Sequence, residues 1–235
     1  MKSIILSHFD TGGAGRASIN IYKSLQDYKI DLEIFVKTKN SNLEFVKQFY
    51  KNNFVTIDKY KEKINRNICK FSKKKTFSYQ SPAIFPTNIS KLLNKTNFDI
   101  VHLCWINDFL TIEDIGRIKK PLIWSLCDMW PFSGINHYEE YDDKAFWRRN
   151  FDHELNKFSI DRWIINRKLK SWQSPMNIVV PNKWMLECVK DSKIMSNFDC
   201  RVIKWPIDNK IFYNKNKVLC KKKFNFLTNK KLILY

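Results

Sequence analysis

Glycine is scarce in this 235-residue chain, with only five in all. Three of them stand together at Gly12, Gly13 and Gly15, so the cluster marks a place where the backbone turns tightly or approaches something closely. No two of the six cysteines (69, 104, 127, 188, 200 and 220) have C-x-x-C spacing. That excludes a zinc ribbon and a dithiol redox motif, and the spread does not read as a disulfide framework; a reducing cytoplasm suits it. No apolar run approaches the roughly 18 residues of a membrane span. The apolar stretch Ser3–Phe9 stops at Asp10, too short for a secretory leader. Acidic residues are also few: 23 against 42 Lys plus Arg, a formal net charge of +19. The imbalance favours anionic partners. The lysines are scattered, however, with tight runs only at Lys73–Lys75 and Lys221–Lys223, and no recognition motif for nucleic acid accompanies them. Nucleic acid is therefore not an expected partner.

What is present is core-forming material: 44% hydrophobic and 15% aromatic residues. The apolar segments alternate in type. Ser3–His8 reads as a strand, Ala17–Tyr28 as a helix with Ala17, Ile21 and Leu25 four apart, and Asp31–Lys37 as a second strand. Asn40–Pro86 is less legible, with a helix expected near Asp58–Phe71. Asn88–Asn94 is a helix and Ile100–Cys104 a strand; Thr111 and Asp114 have the spacing of a capping box for a helix over Ile112–Ile118. Strand Leu122–Leu126, helix Ile160–Trp172, strand Asn177–Val180, helix Lys183–Lys190 and strand Arg201–Lys204 follow. This alternation predicts an α/β fold, a Rossmann-like, doubly wound and mainly parallel sheet over 1–207. Asp208–Lys222 reads as a connection and Lys231–Tyr235 as one more strand, so 208–235 is expected to be a linker and the first strand of a truncated second domain.

Two stretches could carry chemistry. Thr11–Arg16 lies between strand and helix, where free N–H groups and the helix dipole suit a phosphate. It lacks the third position of G-x-G-x-x-G, since Ser18 stands there, and no G-K-[ST] follows, so taken alone it has a purely steric explanation. Leu122–Tyr138 runs from a strand into Cys127, Asp128 and a loop of Trp130, Phe132, His137 and Tyr138. Polar groups beyond a strand's carboxyl end are where open α/β sheets bind ligands, and aromatic rings beside a carboxylate and an imidazole suit sugars. Taken singly, each of these residues reads better as core, like Trp124 and Phe132, or as an ordinary loop residue, like His137.

Taken together, Gly12-Gly13-Ala14 with Arg16, the segment His102–Asn107 (HLCWIN), Leu122–Gly134 (LIWSLCDMWPFSG), Val180–Trp184 (VPNKW) and Pro206-Ile-Asp208 with Phe212 resemble glycosyltransferase family 4, in that family's order and spacing. The resemblance covers about the first 212 residues and is most specific over 101–138. It implies a GT-B architecture of two facing Rossmann-like domains, of which this would be the N-terminal, acceptor-side half. It implies a retaining transferase with a UDP- or GDP-sugar donor, a glycan or lipid-linked acceptor, and no metal or cofactor, of the kind that builds bacterial surface polysaccharides. By the same resemblance Gly12 and Gly13, with Arg16, would approach the donor phosphate. Cys127 and Asp128 would sit at the reacting sugar, and Trp105, Asn107, Trp130, His137, Tyr138 and Lys183 would face the acceptor.

This chain departs from the family where relatives carry histidine: Cys104 and Cys127 stand at those places. A thiol lacks an imidazole's basicity and geometry. The donor-gripping half would lie beyond Tyr235, so the chain alone is expected to be inactive and to need a separate C-terminal half, as a truncated product or split gene would. A non-catalytic domain that binds glycan or a partner is the competing expectation. The basic helix Ile160–Trp172 (Arg162, Arg167, Lys168, Lys170) could rest on an anionic membrane or simply face solvent, which leaves a cytoplasmic location with peripheral attachment at the inner membrane face open.

Overall fold

The computed structural model describes residues 1–50, 55–70, 79–141, 145, 147–149, 159–226 and 230–233, with the backbone alone for 55–59 and 62. Contacts divide the chain into two units, Met1–Trp205 and Pro206–Tyr235.

The first unit contains a seven-stranded sheet in which each pair is parallel. Its strands are β1 (Lys2–Phe9), β2 (Asp31–Thr38), β3 (Val46–Gln48), β4 (Ile100–Leu103), β5 (Leu122–Ser125), β6 (Asn177–Val180) and β7 (Asp199–Val202). The spatial order is β3-β2-β1-β4-β5-β6-β7. The chain builds outward from β1 through β2 and β3, then crosses back to lay β4 on the other side of β1. That reversal is the topological switch point of a doubly wound fold. The helices are α1 (Gly12–Gln26), α2 (Val55–Cys69), α3 (Ile89–Lys95), α4 (Ile112–Gly116), α5 (Ile160–Ser171) and α6 (Lys183–Asp191), with α7 (Lys217–Lys223) in the second unit.

Strand β1 explains why the sheet is covered on both faces. All six residues Ser3–His8 are buried, and alternate ones join different cores. Ile4 and Leu6 pack with Val101, Trp124, Ile178 and Trp172, whereas Ile5 packs with Ile19, Tyr22, Ile34 and Val36. A strand apolar on both faces has no solvent side, the condition under which parallel sheets occur.

Most expected elements are present with shifted ends. Helix α1 begins at Gly12 instead of Ala17, because extended Thr11 is its N-cap and the glycine turn is its first turn. The capping box at Thr111 forms: its hydroxyl accepts from Asp114 N, and Asp114 accepts from Thr111 N. Strand β3 falls in the illegible stretch; three residues give no period, and pairing with β2 decides it. Strand β7 is Asp199–Val202 instead of Arg201–Lys204, set by its register against β6. The expected helix end at Phe71 lies outside the described residues.

In the second unit the connection contains α7, with the Asn216 side chain accepting from Val218 N and Leu219 N. Lys231–Ile233 form no strand, contrary to the sequence expectation; no ladder partner stands beside them among the described residues, and an isolated strand leaves its backbone groups unpaired. Leu234 and Tyr235 lie outside the described residues.

Candidate functional site

Because the strands are parallel, their carboxyl ends share one edge of the sheet. The segments after β1, β4, β5 and β6 emerge there, and they hold every residue that the sequence reading expected at the donor, the acceptor or the reacting sugar. The centre is Asp128, three residues past β5. Its Oδ2 accepts from Trp105 Nε1 at 2.8 Å and from His137 Nδ1 at 2.6 Å, and its Oδ1 accepts from Trp130 N at 3.1 Å. Asn107 Nδ2 lies 2.9 Å from the same His137 nitrogen. One proton on Nδ1 serves the carboxylate, the stronger acceptor. The ring is fully buried and its Nε2 has no partner among the described residues. Tyr79, Trp105 and Trp130 surround it, with ring centroids 5.0, 6.0 and 6.2 Å away.

Helix α5 holds this loop in place. Lys168 is fully buried, and its Nζ donates to the carbonyls of Trp130, Ser133 and Gly134. The ammonium also stands 4.0 Å from the Trp130 ring centroid. Burial pushes its pKa well below the usual lysine range. One turn and more earlier, Asp161 Oδ1 accepts from Ile135 N. A Cβ on Gly134 would lie 2.0 Å from that same oxygen, so only glycine fits there. Arg167 is committed too, to Glu113 at 2.7 Å and to the carbonyls of Pro82 and Ala83. The basic helix of the sequence reading therefore spends Lys168 and Arg167 inward. Their value is in ordering the site, and neither is available to a membrane.

The singled-out residues thus fall into two sets. Trp105, Asn107, Asp128, Trp130 and His137 form one bonded cluster. Asn107, Trp130 and His137 are each 2% exposed or less, which withdraws their side chains from any ligand and makes them supports. Tyr138 is exposed and its hydroxyl donates to Cys127 O at 3.3 Å. Lys183 is exposed at the start of α6, and Gly12, Gly13 and Arg16 are exposed in the first turn of α1. None of these four makes a hydrogen bond or ion pair to the cluster.

The three glycines of the turn differ in cause. Gly12 has φ +72°, a left-handed conformation natural to glycine. A Cβ on Gly13 would meet nothing within 4 Å. A Cβ on Gly15 would lie 2.6 Å from the Asp10 carbonyl carbon, so Gly15 is what lets α1 lie against the end of β1. Asp10 is buried beneath, and its carboxylate accepts from Asn40 N, Ser41 N and Ser41 Oγ. Burial raises its pKa, but these hydrogen bonds outweigh that and hold it below the usual value.

The histidines at the strand ends are kept neutral. Burial, with Lys37 nearby, lowers His8 to about 4, although Nδ1 donates to Asn107 O. Burial alone lowers His102 to about 4, beside Ser125 Oγ at 2.8 Å. Burial and the Asp128 charge push the Cys127 thiol up to about 12, so it is protonated and neither a base nor a nucleophile at neutral pH. Cys104 is raised as well, by burial and then by Cys127. All six cysteines are free. No helix among the described residues is long and apolar enough to cross a membrane.

A separate cavity of about 470 Å³ opens at the carboxyl ends of β1, β2 and β3, bounded by α2 and by the segment after β4. His8, Phe9, Lys37, Tyr50, Lys61 and Asp108 are among its walls. Sequence reasoning missed this cavity because its walls come from six distant stretches. It also missed Lys168, hidden among surface cations on the same helix. Comparison with protein-family models and with curated proteins found no match to this chain.

Proposed function

We propose that this chain is the acceptor-side half of a nucleotide-sugar-dependent glycosyltransferase, active when joined to a donor-binding Rossmann-like half. The observation that carries the reading is the Asp128 cluster at the carboxyl edge of a doubly wound parallel sheet, in the segment whose sequence resembles glycosyltransferase family 4 most closely. Ligands of such sheets bind outside the strand ends, beside the switch point. The exposed N-terminus of α1, with its free N–H groups and Gly13 open to approach, suits a sugar-nucleotide phosphate. Asp128, with its three donors satisfied, orients the indole of Trp105 and the backbone of the 129–137 loop, and the exposed Tyr138 and Lys183 offer an acceptor a ring face and a cation. The donor is a UDP- or GDP-sugar and the acceptor a glycan or a lipid-linked sugar.

The test is co-expression with a donor-binding half, followed by assays for sugar-nucleotide hydrolysis and transfer. Transfer that falls at least tenfold in Asp128→Asn supports the reading. A well-folded pair that neither hydrolyses nor transfers any UDP- or GDP-sugar sinks it.

One observation favours a second reading, a non-catalytic glycan- or partner-binding domain: the inert thiol of Cys127 stands where relatives of that family carry histidine. Cys127→His in the completed pair separates the two. A large rise in transfer supports the catalytic reading, and no change supports the binding module.

A further inference from the structure

The geometry points to the cavity beside β1–β3 as a binding site for a sugar ring that carries a negative charge, either a carboxylate or a phosphate. None of the residues assigned above to donor or acceptor lines it. Its volume, about 470 Å³, lies within the range of ligand-binding clefts, roughly 300–1,000 Å³, and leaves room for one or two sugar rings.

Three independent features converge on it. The first is backbone strain. Four non-glycine residues among those described have positive φ: Lys29, Ala83, Asp108 and Asn225. Lys29 and Asn225 follow the ends of α1 and α7, where such a conformation is ordinary. Ala83 (φ 45°) and Asp108 (φ 53°) follow no helix, and both line this cavity. Strain held away from helix ends gathers where a fold shapes a ligand site.

The second is charge. Among the described residues the charged groups on the walls are Lys37, Lys61 and Asp108, with His8 the other titratable ring besides the tyrosines. Asp108 is already spent within the protein: Oδ1 accepts from Asn65 Nδ2 at 3.3 Å and Oδ2 from the Tyr79 hydroxyl at 3.0 Å. Lys37 gives one of its three protons to the Asp108 carbonyl at 2.9 Å, and Lys61 lies 6.0 Å from the Phe85 ring centroid. Neither lysine has an ion pair among the described residues. Two cations thus keep donors for a ligand, the carboxylate of Asp108 is tied to Asn65 and Tyr79 on the same wall, and burial keeps His8 neutral, so the described walls carry two positive charges against one negative.

The third is the wall itself. Phe9, Tyr50, Tyr79 and Phe85 supply aromatic surface, on which the apolar face of a sugar ring stacks. A bare anion gains little from such surface, and a neutral sugar gains no charge pairing from two ammonium groups that lack a carboxylate partner among the described residues. The saccharide part of this inference rests on the sugar-transfer reading; the charge does not.

The experiment is ligand titration of the full chain followed by amide chemical-shift changes, without donor or transfer partner. Glucose, glucuronate, glucose 6-phosphate and inorganic phosphate are the probes. Glucuronate and glucose 6-phosphate are expected to bind at least tenfold tighter than glucose or inorganic phosphate, with shifts at Phe9, Thr38 and Asp108. Lys61→Met, and separately Lys37→Gln, should weaken the two acidic sugars about tenfold, the loss of one charge-assisted hydrogen bond, and leave glucose unchanged. Equal binding of glucose overturns the charge, and equal binding of inorganic phosphate overturns the sugar. No binding by any probe overturns the site, while UDP- or GDP-sugar shifts confined to Gly12–Arg16 would leave the transferase reading standing. Lys61 is half-buried on α2, so its variant keeps the test open if Lys37→Gln fails to fold.

Discussion

Two lysines at the same edge of one sheet are used in opposite ways. Lys168, under the loop after β5, is fully buried and gives its protons to three carbonyls. Lys37, at the end of β2, gives one proton to Asp108 O and keeps the rest toward an open cavity. On the β4–β6 side Asp128 holds the Trp105 indole and His137 Nδ1, and Lys168 holds the carbonyls of Trp130, Ser133 and Gly134, which leaves only His137 Nε2 of this cluster without a partner among the described residues. The β1–β3 side leaves cations, aromatic faces and strained backbone around a space. The contrast teaches that most of the conspicuous Trp/Pro/Phe/His motif is spent on scaffold, and that the donors left over stand beside it. Satisfied polar networks rigidify, and donors left over are what a ligand can use.

The two neutral histidines sample both sides, and they give the largest expected effect. His102 lies in the closed side and His8 on the cavity wall, each lowered from 6.5 to about 4 by burial. In the unfolded chain each takes up a proton near pH 6.5, and in the folded chain only near 4. The unfolded state therefore binds more protons between those values, and stability must fall as pH drops through that window. Each contributes roughly 3 kcal/mol, present above pH 6.5 and lost by about pH 4. Urea unfolding at pH 7, 6, 5 and 4 should show the decline, and His102→Gln should remove about half of it. An unchanged slope in that variant would show that the closed side admits a proton without opening.

Lys168→Met should come next in size. Methionine keeps the volume and leaves three carbonyls without a donor, so a loss of about 3 kcal/mol is expected in urea unfolding. A loss under about 1 kcal/mol would mean that water or a shift of the loop replaces Nζ, and the closed network would not be closed. The matching change on the open side, Lys37→Gln, should cost far less, because one carbonyl at a cavity wall can turn to water.

How much of this was legible follows the reach of each interaction. The Thr111–Asp114 capping box was readable because both partners lie within one turn. The parallel sheet was readable because strand and helix segments alternate along the chain, the order that crossover connections between parallel strands require. Lys168 was not: the helical period sets it on the face of Ile164 and Ile165, but its type and its chain neighbours Arg167 and Lys170 read as a solvated basic helix, and only the packed loop of 130–134 claims its ammonium. His137 and Trp130 were picked out for their chemistry, but sequence carries no sign of whether a ring is exposed or sealed. The cavity was invisible for the same reason: Phe9, Lys61 and Asp108 share walls only after the sheet is assembled. Strand β3 is three residues long, shorter than any period can register.

The glycine turn repeats the contrast at smaller scale and yields graded effects. Gly15 faces the packed interior, and its Cβ would lie 2.6 Å from Asp10 and 3.0 Å from the Phe9 oxygen. Gly15→Ala should cost about 2 kcal/mol as α1 is forced off the strand. Gly12→Ala meets no atom, but φ +72° is unfavourable for an L side chain, and about 1 kcal/mol is expected.

Gly13→Ala is the smallest effect on stability and has the opposite sign. Its Cβ meets nothing within 4 Å, it carries no positive φ, and it lies in the first turn of a helix. Alanine reduces the freedom of the unfolded chain at no cost in the fold, so a gain of up to about 0.5–1 kcal/mol is expected. On the proposed donor-site reading, the same methyl group would stand in the way of a phosphate at the helix N–H groups. A variant that unfolds at higher urea yet binds a UDP- or GDP-sugar more weakly would show that this glycine serves the ligand and not the fold. A variant equally stable or better, with sugar-nucleotide binding unchanged, would remove Gly13 from the donor site while leaving Gly15 as the structural glycine of the turn. Destabilisation as large as that of Gly15→Ala would break the contrast itself, because both sides of the turn would then be packed.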